Sequence, residues 1–246
     1  GRAGENWGLS REQEVFMAAS TGDKTSFLTV AYNLSGAVEA AKLGRFIVLV
    51  DVIDMSTTLE AVREAGAVGF WGAAPAGKGR LYTNPYLIGQ AAAREAKKKS
   101  AQVVIVAEPR AGSDEERKAR ASGVLAGIES EGLAAGEIWP NLGAETARLT
   151  DWRNKVVVAV TDAGGTIFDA VWQLGGELTT ATIARTLKMK GMESAQKGME
   201  RAREMAKGKP LTLVAASSNA LEDVLAVQYL AQLLLRQPGG DGGGVY

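Results

Sequence analysis

The sequence predicts an α/β fold: a mainly parallel sheet with helices on both faces and a site at the strand C-terminal edge. Three observations predict it. First, four apolar runs rich in β-branched residues occur at 45–53 (RFIVLVDVI), 102–107 (QVVIVA), 155–161 (KVVVAVT) and 211–215 (LTLVA). Such near-continuous runs suit strands buried on both faces. Second, stretches with helical spacing separate them, as βαβ units require. Third, three of the runs carry Asp51, Asp162 and Ser217 at or just past their C-terminal ends. Right-handed crossovers bring parallel strand C-termini to one edge, where open α/β sheets bind ligands.

Taken in order, 14–20 is a short apolar run, and 26–33 (SFLTVAYN) reads as a strand or a short helix. Residues 35–43 have helical spacing and stop at Gly44, a good terminator. The strand 45–53 feeds a helix over 56–65, with Leu59, Val62 and Ala65 on one face and Glu60, Arg63 and Glu64 outside. The next strand begins at 68–71. Loop 72–84 (GAAPAGKGRLYTN) is Gly-rich and carries Lys78 and Arg80; it reads as a surface turn or as a basic lid over an anion. Pro85 suits the first position of a helix over 86–99, and Lys97, Lys98 and Lys99 complement its C-terminal dipole. After 102–107, the cluster SDEE at 113–116 caps a helix running to about 129. Residues 132–151 are loop-rich. The strand 155–161 leads through Asp162 into a helix through Trp172 and Leu174. A long helical segment, interrupted by Gly191 and Gly198, then runs to about 207. The strand 211–215 ends in Ser217, Ser218 and Asn219. The last helix, 220–236, is apolar nearly all round, which suits burial or a subunit contact. The expected organisation is a single domain over 1–237, with two similar lobes and a break near 145–155 as the alternative, and a disordered Gly-rich tail at 238–246.

Composition narrows the chemistry. The 246 residues carry 28 Lys+Arg against 28 Asp+Glu, which argues against a dedicated nucleic-acid binder. There is no cysteine, so disulfides and thiolate catalysis are excluded. There is no histidine, which removes Ser-His-Asp catalysis, phosphohistidine chemistry and the usual zinc sites. Acid–base work falls to carboxylates, Lys, Tyr or metal-bound water. No apolar run reaches the ~20 residues of a membrane span, the first residues lack a signal-peptide core, and a cytoplasmic location is the default expectation.

The stretch 46–59 (FIVLVDVIDMSTTL) holds the densest candidate chemistry. Asp51 and Asp54 lie at the strand end. Ser56, Thr57 and Thr58 open the helix that follows. Exposed N–H groups at a helix start favour anions, and nearby carboxylates can hold Mg²⁺ through water. An N-cap with neighbouring acids accounts for the same residues without a ligand. The design repeats at 161–166 (TDAGGT), where Asp162 is followed by Gly164, Gly165 and Thr166. No GxGxxG fingerprint, Walker A motif or GxSxG elbow is present.

Three segments together resemble the 2-phosphosulfolactate phosphatase family, Mg²⁺-dependent phosphatases of coenzyme M biosynthesis. Residues 50–58 (VDVIDMSTT) resemble its IDVLRATST signature, 161–166 (TDAGGT) its TTNGT turn, and 220–225 (ALEDVL) its SLEDVL segment. They occur in the same order, while 72–150 matches poorly. The resemblance implies a Mg²⁺-dependent phosphatase-like hydrolase acting on a small acidic phosphomonoester, with Asp51 as the first acid. Asp51 would be a catalytic carboxylate, and Asp54, which stands where the family has an arginine, a second one as a base or extra metal ligand. Ser56, Thr57, Thr58, Gly164, Gly165, Thr166 and Ser217 would hold the substrate, and Asp51, Asp162 and Asp223 the metal. Glu222 and Asp223 fall on the family's acidic pair, and a first-turn helix charge explains them equally well. The chain departs from the family pattern in three places: its first-motif Arg is Asp54, its Asn is Gly164, and the Arg after its Gly-Thr is Ile167. The GERGG stretch and the GNSP-like loop have no counterpart. Two phosphate-pairing arginines are thus absent, with Lys78, Arg80 or Arg110 as replacements.

Two other functions fit the same residues. One is a non-catalytic relative that binds a small acidic metabolite or a protein partner. The other is a nucleotide- or phosphosugar-binding enzyme with its site at Asp51 and Asp162. A homo-oligomer is expected from the apolar last helix, and neither nucleic acid nor membrane is expected as a partner.

Overall fold

The computed structural model describes residues 27–77 and 81–236. The apolar run 14–20, Lys78, Arg80 and the tail 238–246 lie outside the described residues. The fold is α/β and its strands are all parallel, but they form two sheets instead of one. The first contains β1 (Leu28–Tyr32), β2 (Phe46–Val50), β7 (Leu178–Thr180) and β8 (Leu211–Ala215), in the order β1-β8-β2-β7. The second contains β3 (Gly69–Ala73), β4 (Gln102–Ala107), β5 (Ile138–Pro140) and β6 (Lys155–Val160), in the order β3-β6-β4-β5.

Eight helices cover these sheets among the described residues: α1 (Asn33–Lys42), α2 (Thr57–Glu64), α3 (Pro85–Lys99), α4 (Asp114–Arg120), α5 (Ser122–Ser130), α6 (Gly164–Gln173), α7 (Glu193–Ala206) and α8 (Leu221–Arg236). The two-residue alternation of the strands sorts them into layers. Ile47, Leu49 and Val214 of the first sheet face Val104, Val106, Val157 and Ala159 of the second, with α1, α2 and α6 between them. On the far side of the first sheet, Phe46, Val48, Val50, Leu211 and Leu213 pack on α7 and α8. On the far side of the second, Val103, Ile105, Val156 and Val158 pack on α3 and α5. The result is five layers, helix–sheet–helix–sheet–helix. Both faces of both sheets are buried, so these strands carry little polar alternation.

Several expected boundaries move for local reasons. The strand predicted over 45–53 ends at Val50, and Val52–Ser56 forms a π-helical turn that leads into α2. The helix predicted from 113 to 129 divides at Ala121 into α4 and α5. Ser113 and Glu116 form a full capping box at its start. The loop-rich 132–151 contributes the three-residue edge strand β5 and a 3₁₀ turn, Gly143–Arg148. Residues 175–180, read as the lead-in to a long helix, contain edge strand β7, and the segment to 207 becomes helical only at Glu193. Helix α8 buries Ala226, Val227, Leu230 and Leu234, while Leu221, Leu225 and Leu235 are exposed. No helix among the described residues is long and apolar enough to cross a membrane.

Helices α3 and α5 approach closely because each offers a glycine. A Cβ on Gly89 would collide with the carbonyl oxygen of Val124, and one on Gly127 with that of Tyr86. Alanine normally favours a helix by about 1 kcal/mol over glycine. Here the collision with main chain outweighs that gain. Gly127→Ala is expected to destabilise the protein by about 2 kcal/mol, read as a lower midpoint in urea; an unchanged or higher midpoint contradicts this packing.

Candidate functional site

The C-terminal ends of β2 and β6 meet at Asp51. Its carboxylate is 3 % exposed and accepts two main-chain N–H groups, from Asp54 at 3.2 Å and from Gly164 at 2.8 Å. The first bond closes the turn that follows β2. The second ties the first sheet to the start of α6, which follows β6 of the second sheet. Gly164 is required here because a Cβ would strike the Asp51 carboxylate, and Gly165 because a Cβ would strike the carbonyl oxygen of Ala73.

The hydroxyl run builds this turn. The Ser56 hydroxyl accepts from Asp51 N at 2.9 Å and donates to Leu49 O at 3.2 Å. Thr57 donates to the carbonyl of Val52 and is 2.8 Å from the Thr182 hydroxyl. Thr58 donates to the side-chain oxygen of Asn141, whose amide donates in turn to the carbonyl of Asp54. Ser56, Thr57 and Thr58 are all buried, so this run is held inside the protein by its own partners. At the second strand end, Gly165 N donates to the Thr161 hydroxyl at 2.7 Å, and Thr166 is buried. These bonds satisfy N–H groups at the start of α6 that an anion would otherwise use.

Asp223, in the first turn of α8, is buried and accepts from Val52 N at 2.8 Å and from the backbone of Ser217. Ser217 itself accepts from Asn219 N at 3.2 Å. Asp51 and Asp223 are electrostatic neighbours. Burial, then the charges of Asp223 and Asp54, push the Asp51 carboxyl up to about 7. Burial also pushes Asp223 up to about 6. Asp162 is placed apart from this pair: its carboxylate is exposed and bonds Arg120 at 2.7 Å. Asp51, Asp162 and Asp223 therefore do not close into one group. Among the described residues, no set of three or more His, Cys, Asp or Glu is arranged to hold a metal ion.

Asp54 and Asp162 do share a pocket of about 670 Å³ with Glu108, Arg110, Glu116 and Arg120. It lies just outside the strand ends, beside the Asp51 turn. Arg110 donates to Ile53 O at 2.6 Å, and its guanidinium is 3.7 Å from the Asp54 carboxylate. Arg120 reaches both Asp162 and, at 3.4 Å, Glu108. Glu108 also accepts from Asp162 N at 3.3 Å, and burial followed by the Asp54 charge raises its carboxyl above the usual range. Sequence reasoning proposed Asp54 and Asp162 and considered Arg110. It missed Arg120, Glu108 and Asn141. The available signal for Glu108 was its place directly after the strand 102–107; Arg120 had none, because the division of the helix at Ala121 is not visible in the sequence.

The chain matches no family model, and no curated protein and no solved structure matches it significantly.

The raised carboxyls fix the sign of a pH effect. The folded state holds the Asp51 proton more tightly than the unfolded chain, whose carboxyl titrates near 3.8. The resulting stabilisation is complete below that value and is lost as pH rises through about 7. Folding stability is therefore expected to fall between about pH 4 and pH 8, and Asp51→Asn to flatten that decline. Urea titrations across this range check it; an equally steep decline in Asp51→Asn contradicts the assignment.

Proposed function

We propose that this protein is a phosphatase-like hydrolase of a small acidic phosphomonoester, acting in the pocket bounded by Asp54, Glu108, Arg110 and Arg120. The observation that carries the reading is the pair of guanidiniums at the strand C-terminal edge. Arg110 sits against the very turn in which the resembling 2-phosphosulfolactate phosphatase family has an arginine and this chain has Asp54. Two guanidinium forks can bind phosphate oxygens in a directed way that a lysine cannot. The three resembling segments lend the substrate class, a 2-phosphosulfolactate-like ester.

In this reading Arg110 and Arg120 bind and orient the phosphoryl group. Asp54 takes a proton from the attacking water as its oxygen bonds to phosphorus. Glu108, which holds its proton more tightly than an ordinary glutamate, gives one to the ester oxygen as the P–O bond breaks. The products are the alcohol and inorganic phosphate. Asp51 acts as a positioning residue: it holds the turn that carries Asp54 and does not line the pocket.

Four carboxylates face two guanidiniums in this pocket. A phosphate dianion entering such a place is favoured if a cation accompanies it. Asp54 and Glu108 offer hard oxygen donors, and Mg²⁺ commonly uses one or two carboxylates together with substrate phosphate, without an all-protein cage. When bound, the ion would neutralise phosphoryl charge. The homo-oligomer belongs to the same proposal, supported by exposed Leu221, Leu225 and Leu235 on α8.

A second reading, a non-catalytic binder of an acidic metabolite, is favoured by one observation: Arg110 and Arg120 already contact acidic side chains. A panel of phosphomonoesters with Mg²⁺ separates the two. Turnover is expected, with KM raised about tenfold or more in Arg120→Ala and kcat lowered about a hundredfold or more in Asp54→Asn. No turnover above the Asp54→Asn background with any ester contradicts catalysis, and calorimetric binding without turnover selects the second reading.

A further inference from the structure

A second cleft, of about 780 Å³, opens at the opposite end of the strands, between edge strand β7 of one sheet and edge strand β3 of the other. Its apolar wall includes Phe70, Trp71, Phe168 and Trp172. Trp71 is the centre of an aromatic cluster, with its ring 6.1 Å from Phe168 and 5.7 Å from Trp172, in tilted and edge-on geometry. The Trp71 indole N–H is tied to Glu95 at 2.6 Å, which fixes the ring's orientation.

Arg63 of α2 lines the same cleft. Its guanidinium carbon is 3.6 Å from the centre of the Phe70 ring, and its Nε is buried without a hydrogen-bond partner among the described residues. The acid whose charge bears on it, Glu60, is held by two bonds from Arg201, at 3.1 and 2.6 Å. Two arginines thus compete for one carboxylate, and the bidentate bond goes to Arg201. Burial, then the Arg201 charge, lower Arg63 to about 10, so it stays charged at neutral pH. Glu60 is thus bridged by Arg201, and the charge of Arg63 is left without a carboxylate bridge among the described residues; a cation so placed attracts an anion. The other acids of the cleft are already committed: Glu95 pairs with Lys99 at 2.6 Å, and Glu177 with Lys209 at 2.8 Å. Lys207 adds further positive charge to the lining.

We propose that this cleft binds an anion with a flat apolar body, of the aryl-carboxylate class. Its carboxylate sits on Arg63, and its ring lies against Trp71, Phe168 and Trp172. The site is independent of the phosphatase reading, because it lies at the other end of the strands and shares no residue with the Asp54 pocket. Its chemistry also differs: an aromatic wall with excess positive charge, against a polar pocket with excess carboxylates.

The probe is 2-naphthoate, with neutral 2-naphthamide as its control, followed by quenching of tryptophan emission and by calorimetry. Wild-type protein is expected to bind naphthoate at least about tenfold more tightly than naphthamide, as loss of a charge-assisted bond implies. Arg63→Met, which keeps the apolar bulk, is expected to abolish that preference, and Arg63→Lys to retain part of it. Trp71→Phe should reduce the quenching. Equal affinity of the two probes for wild-type protein, or no binding of naphthoate, overturns the proposal without recourse to any variant. A tenfold preference that survives in Arg63→Met overturns it as well.

Discussion

The arrangement depends on one buried carboxylate. Asp51 ends β2 and accepts an N–H group from Gly164, 113 residues later in the chain, at 2.8 Å. That bond joins the two sheets at their C-terminal edge. A carboxylate buried to this degree beside other acids is disfavoured in its charged form, and burial with the charges of Asp223 and Asp54 raises its titration to about 7. The main-chain bonds from Asp54 and Gly164 offset part of it. Everything adjacent is built to keep the group in place. A π-helical turn wraps around it, Ser56 anchors its backbone, and glycines at 164 and 165 allow the start of α6 to come close.

The pocket beside the turn follows from that constraint. Once Asp51 closes the turn, the carbonyls of Ile53 and Asp54 take side-chain partners. Arg110 caps the first of these carbonyls and Asn141 the second. The turn therefore presents Asp54 beside a guanidinium, across from Glu108 and Arg120. Asp51 is buried and ties the turn to α6, whereas Asp54 is partly exposed and lines the pocket. Two acids three residues apart in sequence thus end up in different surroundings, one buried and one in an open pocket.

Much of the scaffold was legible because parallel strands buried on both faces leave an unmistakable apolar signature, as in Phe46–Val50 and Lys155–Val160. The edge strands β5 and β7 were not, since three residues carry no periodicity and their pairing depends on neighbours distant in sequence. The division into two sheets was invisible for the same reason: a strand run does not say which strand it will pair with. At the site, the placing of Asp51 and of the glycines at 164 and 165 at strand ends could be read from the strand–acid–glycine pattern, but the bond between Asp51 and Gly164 could not. The fate of Ser56, Thr57 and Thr58 could not, because a hydroxyl run looks the same whether it faces a ligand or its own backbone. Arg63 was assigned to an outer helix face by the 3.6-residue period. The period identifies a helix face but cannot show that two edge strands flank it and turn it into the wall of a cleft.

The central claim is that the Asp51 turn presents an anion-binding pocket at the joint of the two sheets. A crystal structure with Mg²⁺ and a non-hydrolysable phosphonate tests it most directly. The phosphonate is expected between Arg110 and Arg120, with the cation on Asp54 or Glu108 and Asp51 still bonded to Gly164. A phosphonate bound elsewhere, or an Asp51 carboxylate released from Gly164 to ligate the ion, would contradict it.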